Sequence, residues 1–354
     1  MTVSTSQNIQ VIGRTQRVHF DSATKASEQE MGIRFGFPGV TLRSRFTGTH
    51  LRINLTKTNA AVSSYLLVLV DITPNSVEYT TIDSAAGTRI EIPPNPNLQS
   101  IIIADNLSNT EHIVEIVHLT ETWIGVITVE SLSTDGIFST EPVAFPAVRK
   151  LLFIGDSVTC GEAVDLAVNI PKTPVSWNAF DSYGMRVARA LGAQCTLVSY
   201  GGRGLIRDYL GKPYWTGPEM FETSIPEDAL QSQWDHSQDV PDAVFVSLVT
   251  NDLNTGIPNE KEFVDAYVYA HAKVFITEGA IVNDIPNEKF AGAPVKSIVR
   301  GYLEKIVVLV GDAKIRAIPS NHYPGTTTDV HPISNEHAAM AQDFVAILKE
   351  NLGW

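Results

Sequence analysis

The hydrophobic pattern changes once along this chain of 354 residues, and that change constrains the fold more than any other feature. In the first ~145 residues, short runs such as 64–72 and 112–120 are rich in β-branched and apolar side chains and are separated by turn residues. After residue 149, short apolar runs alternate with longer segments of helical spacing. The first pattern is typical of antiparallel β-structure, and the second is typical of a parallel sheet covered by helices.

The N-terminal part predicts an all-β domain. Clusters of Pro, Gly, Asn, Asp and Ser separate the runs, and no convincing helix interrupts them. Six or more short strands of this kind predict a sandwich, most simply a jelly roll. The boundary falls in the proline-containing stretch 141–148, so we assign residues 1–145 to the β-sandwich and 146–354 to a second domain. The six predicted strands are residues 45–55, 64–72, 88–93, 100–105, 112–120 and 124–132.

The C-terminal part predicts an α/β domain. Its strands and helices alternate, which favours a flavodoxin-like, three-layer α/β/α fold with ligands outside the carboxyl ends of the strands. The predicted strands are residues 150–154, 195–200, 243–249, 273–277 and 314–319. The predicted helices are residues 182–191, 263–272, 294–311 and 335–352.

Charge and composition exclude several classes of function. With 26 basic and 39 acidic residues, the net charge is −13, which disfavours nucleic acids and anionic membrane surfaces. The two cysteines, Cys160 and Cys195, are too few for a disulfide framework and are interpreted as reduced, buried thiols. No apolar run is long enough to span a bilayer. No signal peptide is recognised, which predicts a cytoplasmic protein, or a secreted one if the sequence is a processed form.

Four polar segments follow successive strands of the α/β part. The carboxyl ends of parallel strands share one edge of a sheet, so these segments are expected to meet there. A serine on a strand-to-helix turn is exposed as a nucleophile, glycines let backbone N–H groups approach a ligand, and an asparagine amide can donate to an anion. Each segment alone could be an ordinary turn, helix cap or surface loop. The segments are Gly155-Asp156-Ser157, residues 199–204, Asn251-Asp252 and Asp329-Val330-His331-Pro332.

Together the four segments resemble the motifs of the GDSL family of SGNH hydrolases, which carry Ser, Gly, Asn and His in this order. The N-terminal stretches 12–14, 45–49 and 118–125, together with residues 199–205, resemble carbohydrate esterase family 2. In that family a β-sandwich precedes the hydrolase domain. The resemblance covers nearly the whole chain and implies an enzyme that removes acetyl groups from plant-wall polysaccharides and acetylated sugars.

Carried over by position, the resemblance implies a role for each residue. Ser157 is the nucleophile, and His331 is the general base and then the general acid. The oxyanion hole consists of the N–H groups of Ser157 and Gly202 and the amide of Asn251. Asp329 lies two residues before His331 instead of the more common three, so it either completes a triad or caps the loop beside a Ser–His dyad.

Two further features bear on the substrate. Glu162-Ala163 stands where the family commonly has a Gly–aromatic pair, which could reshape the acyl pocket. Aromatic side chains in the loops of the α/β part could bind sugar, although packing explains each of them equally well. These aromatic candidates are Trp177, Tyr214, Trp215 and Trp234. Trp123 is expected to pack in the sandwich.

The prediction is a two-domain carbohydrate O-acetyl esterase that works through an acyl-enzyme and takes acetylated carbohydrate as its substrate. Ser–His ester chemistry requires no cofactor, and no metal-binding motif is present. Nucleic-acid and membrane partners are not expected, and the oligomeric state is left open. Two alternatives remain: a generic short-chain GDSL esterase acting on small esters, and a carbohydrate-binding protein with an inert hydrolase domain.

Overall fold

A computed structural model describes residues 2–4, 8–19, 31–59, 61–72, 78–141, 143, 149–227, 232–266 and 273–354. Within these ranges the chain forms two antiparallel sheets, followed by one parallel sheet flanked by helices. The predicted boundary at residues 145 and 146 lies outside the described residues, so the division into two domains stays a prediction.

The first antiparallel sheet has the strand order β3-β4-β11-β6-β9, and β1 also pairs with β11. Burial alternates strictly along β6, so its apolar side chains enter the core between the sheets, while Arg52, Asn54 and Thr56 lie nearer the solvent. The strands of this sheet are β1 (Thr2–Val3), β3 (Gln16–His19), β4 (Met31–Phe35), β6 (Leu51–Lys57), β9 (Gln99–Ala104) and β11 (Ile127–Thr134).

The second antiparallel sheet has the order β2-β5-β10-β7-β8. With the first sheet it forms the predicted sandwich, although residues 45–55 are not one strand as expected. They belong to β5 and β6, which lie in different sheets, and the chain turns between them at Thr49 and His50. The strands of the second sheet are β2 (Gln10–Ile12), β5 (Thr41–Gly48), β7 (Ser64–Val70), β8 (Thr88–Ile92) and β10 (Thr110–His118).

The parallel sheet has the order β13-β12-β14-β15-β16, which is the flavodoxin-like order 2-1-3-4-5. Its central strands are almost entirely apolar because helices cover both faces. Its strands are β12 (Lys150–Gly155), β13 (Gln194–Ser199), β14 (Ala243–Ser247), β15 (Lys273–Ile276) and β16 (Ile315–Ala317).

The helices form the two outer layers of this half. The first and last long ones, α2 and α6, pack on the face that carries Phe153 and Phe245, and α4 and α5 pack on the opposite face. The predicted helix 263–272 begins earlier and its later residues lie outside the described ones. None of the helices in the described ranges is long and apolar enough to cross a membrane. The helices are α1 (Ser157–Cys160), α2 (Tyr183–Ala190), α3 (Gly217–Phe221), α4 (Glu260–Asp265), α5 (Val295–Val310) and α6 (Ser334–Leu352).

Candidate active site

The carboxyl ends of β12, β13 and β14 lie side by side. Gly155 at the end of β12 is in register with Ser199 on one side and with Ser247 on the other. The segments that follow these strands therefore leave the sheet at neighbouring points, which is the arrangement expected from the sequence.

Ser157 lies on a tight turn whose conformation follows from its neighbours. The Asp156 carboxylate caps α1 by accepting from the Val158 N–H at 3.0 Å. Gly161 ends α1 with a φ of 79°, and a Cβ at this position would lie 2.4 Å from the carbonyl oxygen of Asn178. Only glycine satisfies both conditions, so the turn that presents Ser157 is fixed by the sequence around it.

Three of the predicted residues form a continuous hydrogen-bonded chain. The Ser157 Oγ lies 2.8 Å from His331 Nε2, and His331 Nδ1 lies 2.6 Å from Asp329 Oδ1. Asp329 Oδ1 also accepts from the His331 backbone N–H at 2.9 Å, which fixes the loop around the ring. This geometry matches a nucleophile, a base and a group that orients the base.

The protonation of the pair follows from its surroundings. Burial lowers the pKa of His331, but the hydrogen bond that its ring donates to Asp329 and the nearby charge of Glu162 outweigh this effect, and the net pKa is raised above the ordinary 6.5. Burial raises the pKa of Asp329, but its bonds with His331 and Lys172 outweigh that effect and lower the pKa. Asp329 therefore stays ionised beside the imidazole at neutral pH.

Two of the predicted oxyanion donors, Gly202 and Asn251, lie on loops that are hydrogen-bonded to each other. Asn251 Nδ2 donates to the Arg203 carbonyl at 2.9 Å, which uses one of its two N–H groups. Next to it, the Asp252 carboxylate accepts from the backbone N–H groups of Leu205, Ile206 and Arg207 at 2.7, 2.9 and 3.1 Å. Asp252 thus holds the glycine-containing loop in place.

The backbone N–H groups of Ser157 and Gly202 remain available. Neither donates a hydrogen bond to the part of the chain that the structure describes. The N–H of a first helical residue has no partner within its own helix, as is general for helix starts. Both groups can therefore donate to an anion at the site.

No three His, Cys, Asp or Glu side chains in the described ranges are grouped so that they could hold a metal ion. Cys160 and Cys195 are free and buried, as the sequence predicted. Burial raises the pKa of both thiols, so neither is a reactive thiolate at neutral pH.

A family profile described as "Carbohydrate esterase 2 N-terminal" matches residues 24–139 of the chain. An acetylxylan esterase/glucomannan deacetylase of Cellvibrio japonicus is 32% identical over 98% of this chain and 90% of its own length. The chain belongs to carbohydrate esterase family 2.

Solved structures agree with this assignment. A family two carbohydrate esterase from Cellvibrio japonicus superposes with a TM-score of 0.83 at 31% identity, covering 100% of this chain and 98% of that one. A family two esterase from Clostridium thermocellum in complex with cellohexaose has a TM-score of 0.79 at 22% identity, covering 98% and 99%. The predicted fold class is confirmed, and the predicted activity, a carbohydrate acetyl esterase of the serine type, is confirmed at the level of the family.

Two of the predicted sugar-binding aromatics of this family 2 esterase are not exposed beside Ser157. Trp177 is only 4% exposed, and its indole N–H donates to Glu121 at 2.7 Å, so its ring is part of the interior. Trp234 lies beside Lys150 and Gln194, which begin β12 and β13, and so it lies at the opposite edge of the sheet from Ser157. These positions speak against a sugar-binding role for either side chain, and the assignment of sugar-binding aromatics stays a prediction.

The other two predicted aromatics, Tyr214 and Trp215, lie on the loop after β13, which also carries Gly202 and Arg203. Tyr214 is 53% exposed and lies against the Arg203 guanidinium, with Trp215 edge-on behind it. Tyr209 is also exposed, and its ring lies beside Gly202. Trp123, which was expected inside the sandwich, is 45% exposed and rests edge-on against Trp177.

Three charged residues at the site were not assigned a catalytic or positioning role from the sequence. Lys172 Nζ lies 2.7 Å from Asp329 Oδ2 and 2.5 Å from Glu162 Oε1, while Glu162 Oε2 lies 3.7 Å from His331 Nε2. Glu121, from the turn after β10, is fully buried and accepts from the Gly201 N–H at 2.5 Å. The departure at Glu162 was visible in the sequence, but its pairing with Lys172 was not.

Proposed function

We propose that Ser157, His331 and Asp329 form the catalytic triad of this esterase, and that its substrate is an acetylated plant-wall polysaccharide. The observation that carries the triad is the hydrogen-bonded chain from Ser157 Oγ through the imidazole to Asp329, with links of 2.8 and 2.6 Å. The polysaccharide assignment rests on the Cellvibrio japonicus relative, whose name gives acetylxylan and glucomannan as its substrates.

In the first half-reaction, Ser157 Oγ attacks the acetyl carbonyl carbon while His331 Nε2 takes the hydroxyl proton. The resulting imidazolium is stabilised by Asp329 at Nδ1, and it then gives its proton to the sugar oxygen that leaves. In the second half-reaction, His331 deprotonates a water that attacks the acetyl-enzyme, and the imidazolium then returns this proton to Ser157 Oγ as the ester bond breaks and acetate is released.

The tetrahedral oxyanion would be bound by the N–H groups of Ser157 and Gly202 and by the second N–H of Asn251. Loss of one such donor typically costs ~10²–10³ in turnover. Asp252 supports this arrangement because it fixes the loop that carries Gly202 against the turn that carries Asn251.

Exposed aromatics on the two sides of the site suit a sugar chain. Trp123 projects from the sandwich side, and Tyr209 and Tyr214 project from the loop after β13. We propose that these rings stack on sugar units next to the acetylated one, since aromatic faces bind the apolar faces of sugars with little ordering cost.

The test compares Ser157→Ala with the wild type. The variant is expected to fold normally and to lose hydrolysis of p-nitrophenyl acetate, and turnover at the wild-type level would refute the nucleophile assignment. An inert carbohydrate-binding protein predicts no turnover by either form.

A second comparison tests the substrate. Acetate release from acetylated xylan and acetylated glucomannan should exceed that from simple aryl acetates at equal acetyl concentration. If only the aryl acetates were cleaved, the protein would be a short-chain esterase and the polysaccharide assignment would fail.

A further inference from the structure

A second carboxylate lies beside the imidazole, on the side opposite Asp329. Glu162 follows Gly161 directly, and its Oε2 lies 3.7 Å from His331 Nε2. Lys172 joins the two acids, since its Nζ lies 2.5 Å from Glu162 Oε1 and 2.7 Å from Asp329 Oδ2. Each ring nitrogen of His331 therefore has a carboxylate beside it, and one ammonium group joins both carboxylates.

The cluster is sheltered enough for its charges to act on one another. The side chains of Glu162 and Asp329 are 13% and 14% exposed, and that of Lys172 is 27% exposed. The Lys172 ammonium also lies 5.8 Å from the centre of the Trp177 ring, whose indole N–H is held by Glu121. Charges in such a site are screened less than on an open surface.

We propose that Glu162 and Lys172 are positioning residues that set the protonation of His331: Glu162 stabilises the imidazolium from the Nε2 side, and Lys172 opposes it while holding both carboxylates in place. The proposal deepens the function proposed above and rests on His331 being the base. At 3.7 Å, Glu162 is too far from Nε2 for a hydrogen bond, so it acts by its charge and takes no proton.

Other charged or titratable groups face the ring from the elements packed around it. Asp156 precedes the nucleophile and is buried, and burial raises its pKa to about 6. His337 on α6 is also buried, and burial lowers its pKa to about 3, so it is uncharged at neutral pH. The variants below keep both residues, but the charge of Glu162 also helps to raise the pKa of Asp156, so Glu162→Gln should lower the pKa of Asp156 in the same direction as that of His331.

The test measures kcat/KM for p-nitrophenyl acetate against pH in Glu162→Gln and Lys172→Gln. The acidic limb of this profile reports the pKa of His331 in the free enzyme. Loss of the negative charge should move the limb to lower pH by about one unit, and loss of the positive charge should move it to higher pH by about half to one unit. Gln keeps hydrogen-bonding groups at both positions, so charge is the main change.

The two variants are expected to shift the acidic limb in opposite directions, which separates an electrostatic effect from structural damage. Partial misfolding would lower the activity of both variants but would not shift their acidic limbs in opposite directions. Glu162→Asp keeps the charge and should restore most of the limb position. Lys261→Gln is the control for net charge, because Lys261 pairs with Asp265 on the exposed surface of α4. The acidic limb of the pH profile of this variant should match that of the wild type.

Shifts in the same direction, or no shift in either variant, would overturn the inference. His331→Ala distinguishes this result from failure of the proposed function. If His331→Ala is inactive and the limbs of Glu162→Gln and Lys172→Gln do not shift, only the role of Glu162 and Lys172 is contradicted. If His331→Ala is active, the assignment of His331 as the base is contradicted.

Discussion

Glu121 offers a test of how the sandwich supports the site. Its carboxylate follows β10 and lies fully buried, accepting from Trp177 Nε1 at 2.7 Å through one oxygen and from the Gly201 N–H at 2.5 Å through the other. In Glu121→Gln, one oxygen becomes an NH₂ group that cannot accept. One of the two N–H donors then loses its partner and faces another donor.

The expected cost has two parts. A buried donor without a partner costs about 1–3 kcal/mol, so the free energy of unfolding from urea titration should fall by about 2 kcal/mol. The Gly201 backbone also loses its anchor next to Gly202, and a small misplacement of an oxyanion donor should lower kcat by about 10²-fold with little change in KM.

The pH dependence of the free energy of unfolding tests the role of Glu121 independently. Burial, with a smaller contribution from the charge of Glu162, raises the pKa of Glu121 from 4.5 to about 7. The native state then binds more protons than the unfolded state between these values, so stability is lost as pH rises from about 4.5 to 7, by at most about 3 kcal/mol. Glu121→Gln should flatten this slope.

The control is Glu111→Gln, which removes a carboxylate from an exposed ion pair with Arg45 in the same sandwich and should change neither kcat nor the slope. If Glu121→Gln lost stability but kept the wild-type kcat, Glu121 would be only a packing residue. If neither quantity changed, the anchoring would be refuted outright.

Three further predictions concern the site itself. Asp329→Asn should lower kcat by about 10⁴-fold, because the amide favours the wrong tautomer of His331, and a loss of only a few-fold in the p-nitrophenyl acetate assay would indicate a dyad. In the wild type, activity should be lost as the pH falls through the pKa of His331, which lies above 6.5. A midpoint below pH 6.5 for the acidic limb of kcat/KM would contradict that shift. Gly204→Ala should lower kcat at least tenfold, because a Cβ there would lie 2.4 Å from Asp252 Oδ2 and 2.5 Å from the Arg207 carbonyl oxygen. Wild-type kcat in that variant would show that Asp252 does not hold the loop.

The sequence was sufficient for the parts of the fold that depend on local pattern. The five strands of the parallel sheet and its long helices agree with the apolar runs, and register along neighbouring strands brings Ser157 close to the later loops. The strands β1 to β3 were not predicted because two to four residues are too few to show a clear alternation. The strand β4 was also not predicted, although its apolar residues alternate.

Contacts between distant segments could not be predicted in the same way. The Lys172–Glu162–Asp329 cluster joins three loops, and nothing in the spacing of those residues indicates that they meet. The exposure of Trp123 and the burial of Trp177 depend on how the sandwich meets the sheet, which is a property of the packed molecule. A single sequence contains no direct signal for either arrangement.

The sandwich meets the parallel-sheet half through a shared apolar core, to which Leu67, Val117 and Leu119 contribute, and through individual polar contacts that fix the geometry of the junction. The Arg14 guanidinium is only 2% exposed and donates to the carbonyls of Phe221 and Thr223, at 2.5 and 2.9 Å. Burial lowers its pKa to about 9, so it remains charged at neutral pH and depends on those carbonyls. On the side near the active site, Glu121 holds Gly201 in the same manner.

Such contacts are sensitive to angle and distance, whereas apolar surfaces tolerate sliding. A sandwich joined only to stabilise the chain would not need to place a buried carboxylate on the loop next to Gly202, or an exposed tryptophan beside the Lys172–Trp177 contact. We therefore expect the sandwich to form one wall of the substrate cleft. Trp123→Ala should raise KM for acetylated polysaccharide several-fold and leave kcat/KM for p-nitrophenyl acetate unchanged, because the small ester does not reach that wall. Equal effects on both substrates would contradict this role.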